Sequence, residues 1–121
     1  MIKVVNKYKH IETPDDVYIG RGSILGNPYS HKLGGMAEFI VASKEEAIRQ
    51  YRIYLAKQIL NKNADIINEL RHIAFNTRHG NVNLVCFCKP GICHGDVIVD
   101  FVLHILSNSL DQNWLLTQKN S

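Results

Sequence analysis

Asn83-Leu84-Val85-Cys86-Phe87-Cys88, then Lys89-Pro90-Gly91 and Cys93-His94-Gly95-Asp96-Val97, is the stretch on which the fold turns. The run from 83 to 88 is apolar without clean alternation, which is the pattern of a strand covered on both faces in a parallel sheet. Lys89-Pro90-Gly91 breaks it. Beyond the break, Val97, Ile98, Val99, Phe101, Val102, Leu103, Ile105 and Leu106 predict a helix that is apolar around most of its circumference. Its polar exceptions, Asp96, Asp100 and His104, recur at intervals of four and share one stripe, leaving the rest to pack on a sheet.

Upstream, Ile2-Lys3-Val4-Val5-Asn6 and Asp16-Val17-Tyr18-Ile19 have the β-branched content of short strands, separated by a polar turn around Pro14. In Gly20-Arg21-Gly22-Ser23-Ile24-Leu25-Gly26-Asn27-Pro28-Tyr29 the three glycines and the Asn-Pro pair exclude a regular element and predict a loop. Residues 30–42, with Gly34-Gly35, read as a connection. Ser43-Lys44-Glu45-Glu46 fits a capping box in which Ser43 and Glu46 satisfy each other's amides. The helix it opens carries Ile48, Tyr51, Leu55 and Ile59 on one side, turns Arg49, Arg52 and Lys57 outward, and runs to about Asn61. A second helix from Asn63 aligns Ile66, Leu70, Ile73 and Thr77 and ends at Arg78-His79-Gly80, cations and a glycine suited to a C-terminus. Asp111 to Ser121, with Trp114-Leu115-Leu116, reads as a docking turn with a frayed end.

Composition bounds the rest. With 121 residues, 45% of them hydrophobic, and only 8 glycines and 3 prolines, disorder, collagen-like fibres and low-complexity linkers are excluded. This length supports one core, so one domain over 1–121 is expected. No stretch approaches the ~20 apolar residues of a membrane span, and Met1-Ile2-Lys3-Val4-Val5 lacks the apolar run of a secretory signal, so the expectation is a cytoplasmic protein without a membrane partner. A formal charge of +3 is too mild to name a polyanionic partner, although it does not exclude a nucleic acid. An odd, clustered set of cysteines, Cys86, Cys88 and Cys93, argues against a disulfide framework.

The 88–96 turn falls at the carboxyl end of a parallel-type strand, where open α/β sheets bind ligands and a helix N-terminus attracts anions. His94, Asp96 and Cys93 are the candidate catalytic residues. A helix start and an adjacent histidine suit a reactive thiol, and His94 or Asp96 can orient a water or a ribose hydroxyl. The glycine loop adds a second candidate anion site, its amides forming a concave nest beside the fixed charge of Arg21. Its glycine spacing fits neither the dinucleotide fingerprint nor the Walker loop. Tyr29 can supply a stacking face for a base. The alternative for both turns is purely local, with Cys93 and Asp96 capping a helix and the glycines making a bend. Metal binding is disfavoured, because Cys86 and Cys88 on one strand face stand about 6 to 7 Å apart; a zinc site from Cys88, Cys93, His94 and a distant fourth group remains as an alternative.

Together these motifs resemble a known family. Val4-Val5-Asn6, Asp16-Val17-Tyr18-Ile19-Gly20-Arg21, Ser23, Gly26-Asn27-Pro28-Tyr29, Cys86-Phe87-Cys88-Lys89-Pro90 and Cys93-His94-Gly95-Asp96-Val97 look like the small bacterial and phage group catalogued as domain of unknown function 4326, over residues 2 to about 105. The tail from 107 to 121 lies outside it. The cysteine-rich strand and Cys-His turn are also similar to domain of unknown function 488. The resemblance implies that both turns line one pocket and that the setting is phage or bacterial, and it carries no reaction with it.

The expected architecture is therefore α/β: a small three-layer Rossmann-like domain whose mainly parallel sheet uses strands near 2–6, 17–20 and 83–88, with helices on its faces. The expected function is binding of a nucleotide or nucleotide-like phosphorylated small molecule at the strand carboxyl ends. Gly20, Arg21, Gly22, Ser23, Gly26, Asn27, Tyr29, Cys88 and Gly95 are its candidate ligand-binding residues. Any turnover would be hydrolysis or transfer at a glycosidic or phosphate bond, and the residues do not choose between them. No cofactor is implied, and nothing in the sequence signals an oligomeric state. Two alternatives stand beside this reading: a phage-type non-catalytic effector that sequesters a nucleotide signal or binds a host protein, and a zinc-stabilised interaction module.

Overall fold

The computed structural model describes residues 1–30, 39–87, 89, 91–108 and 111–120. Cys88, Pro90 and the Gly34-Gly35 connection lie outside the described residues. Among the described residues, five strands and four helices follow in the order β1 (Ile2–Asn6), β2 (Asp16–Tyr18), β3 (Tyr29–Ser30), β4 (Phe39–Ile40), α1 (Lys44–Leu60), α2 (Ala64–His79), β5 (Val82–Cys86), α3 (Gly95–Asn108) and α4 (Gln112–Lys119). The main sheet has the order β1-β5-β2, with β5 at its centre and both pairings parallel. Val4 and Val17 both register with Leu84. All five residues of β5 are buried, as its unbroken apolar run requires. A small parallel pair, β3 with β4, stands apart from it.

The class is thus mixed α/β with a parallel sheet. Val82, Leu84 and Cys86 enter a single core cluster with Tyr51, Leu55 and Ile59 of α1, Ile66, Leu70 and Ile73 of α2, and Val97, Ile98, Phe101 and Val102 of α3. Asn83 and Val85 point to the opposite face. There the Asn83 amide donates to the Thr13 hydroxyl and the Asp16 carboxylate, so the layer over that face is the β1–β2 connection rather than a helix. Connection handedness explains the division. The chain crosses β5 in one direction between β1 and β2 and returns in the other through α1 and α2, and right-handed crossovers of opposite direction fall on opposite faces. Among the described residues no helix is long and apolar enough to cross a membrane.

Three local expectations are revised by packing. Ser43 caps α1 by accepting from the Glu46 amide at 3.1 Å, but the Glu46 carboxylate turns to Arg49 and Gln50 instead of completing the box. Arg52 does not simply face outward: it donates to Asp100 at 2.6 Å and to Gln118 at 2.9 Å, tying α1 to α3 and α4. The segment after Asp111 is a helix rather than a turn. Asp111 accepts from the Asn113 amide, Leu115 is buried in the common core, and Trp114 lies parallel to the His104 ring at 4.0 Å and edge-on to Phe101 at 4.8 Å. Eight residues do not hold a helix alone in water, and these contacts supply what propensity does not.

Candidate functional site

The two sequence motifs meet across a hollow of about 390 Å3 at the carboxyl ends of β2 and β5. Gly20, Arg21, Asn27, Tyr29, Cys93 and His94 all line it. The joint between them is His94, whose Nε2 lies 2.6 Å from the Ile19 carbonyl. A carbonyl only accepts, so Nε2 carries the proton and Nδ1 keeps its lone pair, 3.8 Å from the Cys93 sulfur. The imidazole edge packs on the buried Tyr51 ring at 4.9 Å, and the Tyr51 hydroxyl donates to the Leu25 carbonyl at 2.7 Å, which pins the glycine loop to α1. Burial pushes the His94 pKa down to about 4; the Arg21 charge acts in the same direction, against the upward pull of the Ile19 carbonyl and Asp96. His94 is neutral at physiological pH. An imidazolium partner for a Cys93 thiolate is correspondingly disfavoured.

Each loop residue has a local task. Asn27 accepts from the Tyr29 amide at 2.9 Å and donates to the Ala47 carbonyl at 3.3 Å, seating the loop on the first turn of α1. The Ser23 hydroxyl donates back to the Gly20 carbonyl at 2.6 Å. Gly22 is at φ 88°, in the left-handed region that favours glycine. At Gly26 a Cβ would come within 2.7 Å of the Gly20 carbonyl oxygen, a backbone atom that cannot swing aside. Gly26→Ala is therefore expected to lower the unfolding free energy by about 1–3 kcal/mol in urea titration and to displace the loop.

The backbone amides contribute less than the motifs suggest. Ser23 and Gly26 donate to carbonyls within the loop, and at the start of α3 Gly95 donates to the Cys93 sulfur, Asp96 to the Cys93 carbonyl and Val97 to the His94 carbonyl. The amides of the first turn of α3 are thus already occupied, and the positive charge on the hollow comes from side chains. One is Arg21, which also donates to the Tyr29 carbonyl at 3.1 Å; the other is Lys44, the first residue of α1, whose place in the sequence marks only a helix start. Ser30, Ala47, Ile48, Cys86, Phe87 and Ile92 complete the wall. Asp96 is not in it: the carboxylate is exposed and paired with Lys89 at 2.8 Å, whose ammonium it holds above the usual range. Gly95 serves packing, for a Cβ there would stand 2.8 Å from Val4 and 2.9 Å from Ile19. Gly22, Ser23 and Gly26 shape the loop without lining the hollow. Among the described residues no group of three or more His, Cys, Asp or Glu side chains is placed to hold a metal ion.

These features define a small parallel α/β protein with a cation-flanked hollow at its strand ends. The chain belongs to the family described as Domain of unknown function (DUF4326), whose model matches residues 2–104, so that α4 falls beyond the matched region. It is similar to the uncharacterized 12.4 kDa protein in the nrdA-td intergenic region of Enterobacteria phage T4, at 30% identity over 102 residues that span 84% of this chain and 78% of that protein. No solved structure matches it.

Proposed function

We propose that the hollow binds a nucleotide or nucleotide-like phosphorylated small molecule, in the cytoplasm where such molecules are held. The observation that carries this reading is the convergence of Arg21 and Lys44, cations from separate elements, on one partly apolar hollow at the carboxyl ends of parallel strands. Its size is within the range of small-molecule sites, and Tyr29 and Phe87 offer aromatic surface to a base. Binding without turnover is the form favoured by His94: its Nε2 proton is committed to Ile19, and a pKa of about 4 leaves the ring a weak base at neutral pH. This supports an effector that holds its ligand, with His94 as a positioning residue between the two motifs.

A thermal-shift panel of nucleotides and nucleotide sugars tests the proposal. A ligand present at 100 times its Kd stabilises the fold by ~2.7 kcal/mol. Arg21→Ala should weaken that ligand roughly 10- to 100-fold, the effect of removing one charge-assisted hydrogen bond. No shift with any member of the panel would sink the reading, and product released over hours would replace the effector form with an enzyme.

A further inference from the structure

At the rim of the hollow stands a group of exposed rings. Tyr8 is 83% exposed, and Tyr18 and Phe87 are each 43% exposed. They are in mutual contact through Phe87, whose ring lies 5.3 Å from Tyr8 and 6.1 Å from Tyr18. Water-facing aromatic contacts of this kind contribute little to a core. Two links make the group continuous with the hollow: Phe87 is part of the hollow's wall, and the Tyr18 hydroxyl donates to the Arg21 carbonyl at 3.2 Å. Cations surround the rings. Lys7 and Lys9 flank Tyr8 in the chain, and among the described residues neither has an ion-pair partner. Lys9 and Lys89 line one groove beside Asn6 and His10. Asp96 is paired with Lys89, and Asp16 with His10.

From this surface we infer that the ligand of the hollow is the end of a single-stranded nucleic acid, whose next bases stack on Phe87 and Tyr8 while Lys7 and Lys9 follow its phosphates. The inference rests on the nucleotide reading of the hollow and extends it. Exposed rings interleaved with unpaired lysines are what a flexible polyanion with flat bases requires, since every base has a face to stack and every step carries a charge. Protein interfaces, in contrast, are depleted in lysine around their aromatic anchors.

Binding of thymidine monophosphate and of a 5′-phosphorylated thymidine hexamer is compared by fluorescence competition, with the wild-type chain and with Tyr8→Ala. Tyr8 lies outside the hollow and is exposed, so the variant should fold normally and bind the monophosphate unchanged. The expected result is a hexamer held at least tenfold more tightly than the monophosphate, roughly the effect of one stacked base, with that advantage lost in Tyr8→Ala. The slope of log K against log salt should fall by roughly 0.7 for each of Lys7→Ala and Lys9→Ala. A hexamer that gains nothing over a bound monophosphate overturns the inference, leaves the hollow reading standing and returns the rings to a protein partner. A tight hexamer indifferent to Tyr8→Ala also overturns it. Binding of neither probe also overturns the inference, while the nucleotide reading of the hollow stands or falls separately on the thermal-shift panel.

Discussion

Phe101→Ala is expected to lower the unfolding free energy by about 3–5 kcal/mol. The ring is fully buried on α3, within the core cluster that joins all four helices to β5, and its edge contact with Trp114 is one of the attachments of α4. Truncation removes the ring's transfer free energy and leaves a cavity that α2, α3 and α4 cannot close together, because each is held by other contacts. Against a total stability of about 5–15 kcal/mol this is a large fraction, corresponding to a fall in Tm of about 10–20 °C for a chain of this size. Trp114 is the only tryptophan, so its emission reports α4 specifically. A red shift preceding global unfolding in the variant is the expected signature. A loss under about 1 kcal/mol would mean that Phe101 does not pack as described.

His94→Ala is expected to be destabilising by about 3 kcal/mol at pH 7, and unlike Phe101→Ala its effect should shrink in acid. The variant loses the edge contact with Tyr51 and leaves the Ile19 carbonyl unpaired in a buried place. The sign of the pH dependence follows from the depressed pKa. Between the ordinary histidine value of 6.5 and about 4 the unfolded chain takes up a proton that folded His94 refuses. The contribution is fully present above pH 6.5 and is lost as the pH falls to 4. Wild-type stability should therefore decline over that interval, whereas the decline assigned to this group should be absent from the variant. Asp16 acts lower down. Burial raises its pKa, but bonds from the Thr13 amide, His10, Asn83 and the Thr13 hydroxyl outweigh that and hold it below the usual carboxylate range, so its contribution is lost only below about pH 4. Urea titrations of both chains at steps from pH 7 to pH 4 measure the difference, and parallel curves would refute the buried neutral imidazole.

Much of the frame was legible because it is written in local spacing. The continuous apolar run of β5, the three- and four-residue recurrence in α1 and α2, and the Ser43 cap are short-range signals, and each element stands close to where its pattern places it. The elements that were not anticipated are those without a period to read: β3 and β4 have two residues each, and α4 depends on contacts with Phe101 and His104. At the site, Arg21, Asn27, Tyr29, Cys93 and His94 were visible as unusual residues in two turns. Asp96 lies two residues from His94 in the sequence, yet His94 precedes α3 and turns inward to Ile19, whereas Asp96 is on the helix and its exposed carboxylate faces Lys89.

By itself, then, the sequence determined β1, β2, β5 and the three longer helices, the parallel arrangement of the main sheet and the residues of two distinctive turns, because backbone propensity and hydrophobic periodicity act over a few residues. Tertiary structure alone decided that Lys44 joins Arg21 at the hollow, that His94 bridges to Ile19 across 75 positions, and that the amides of the first turn of α3 are already bonded. Such pairings join segments distant along the chain, and both the charge on His94 and the accessibility of Phe87 follow from how much water the completed packing leaves around them.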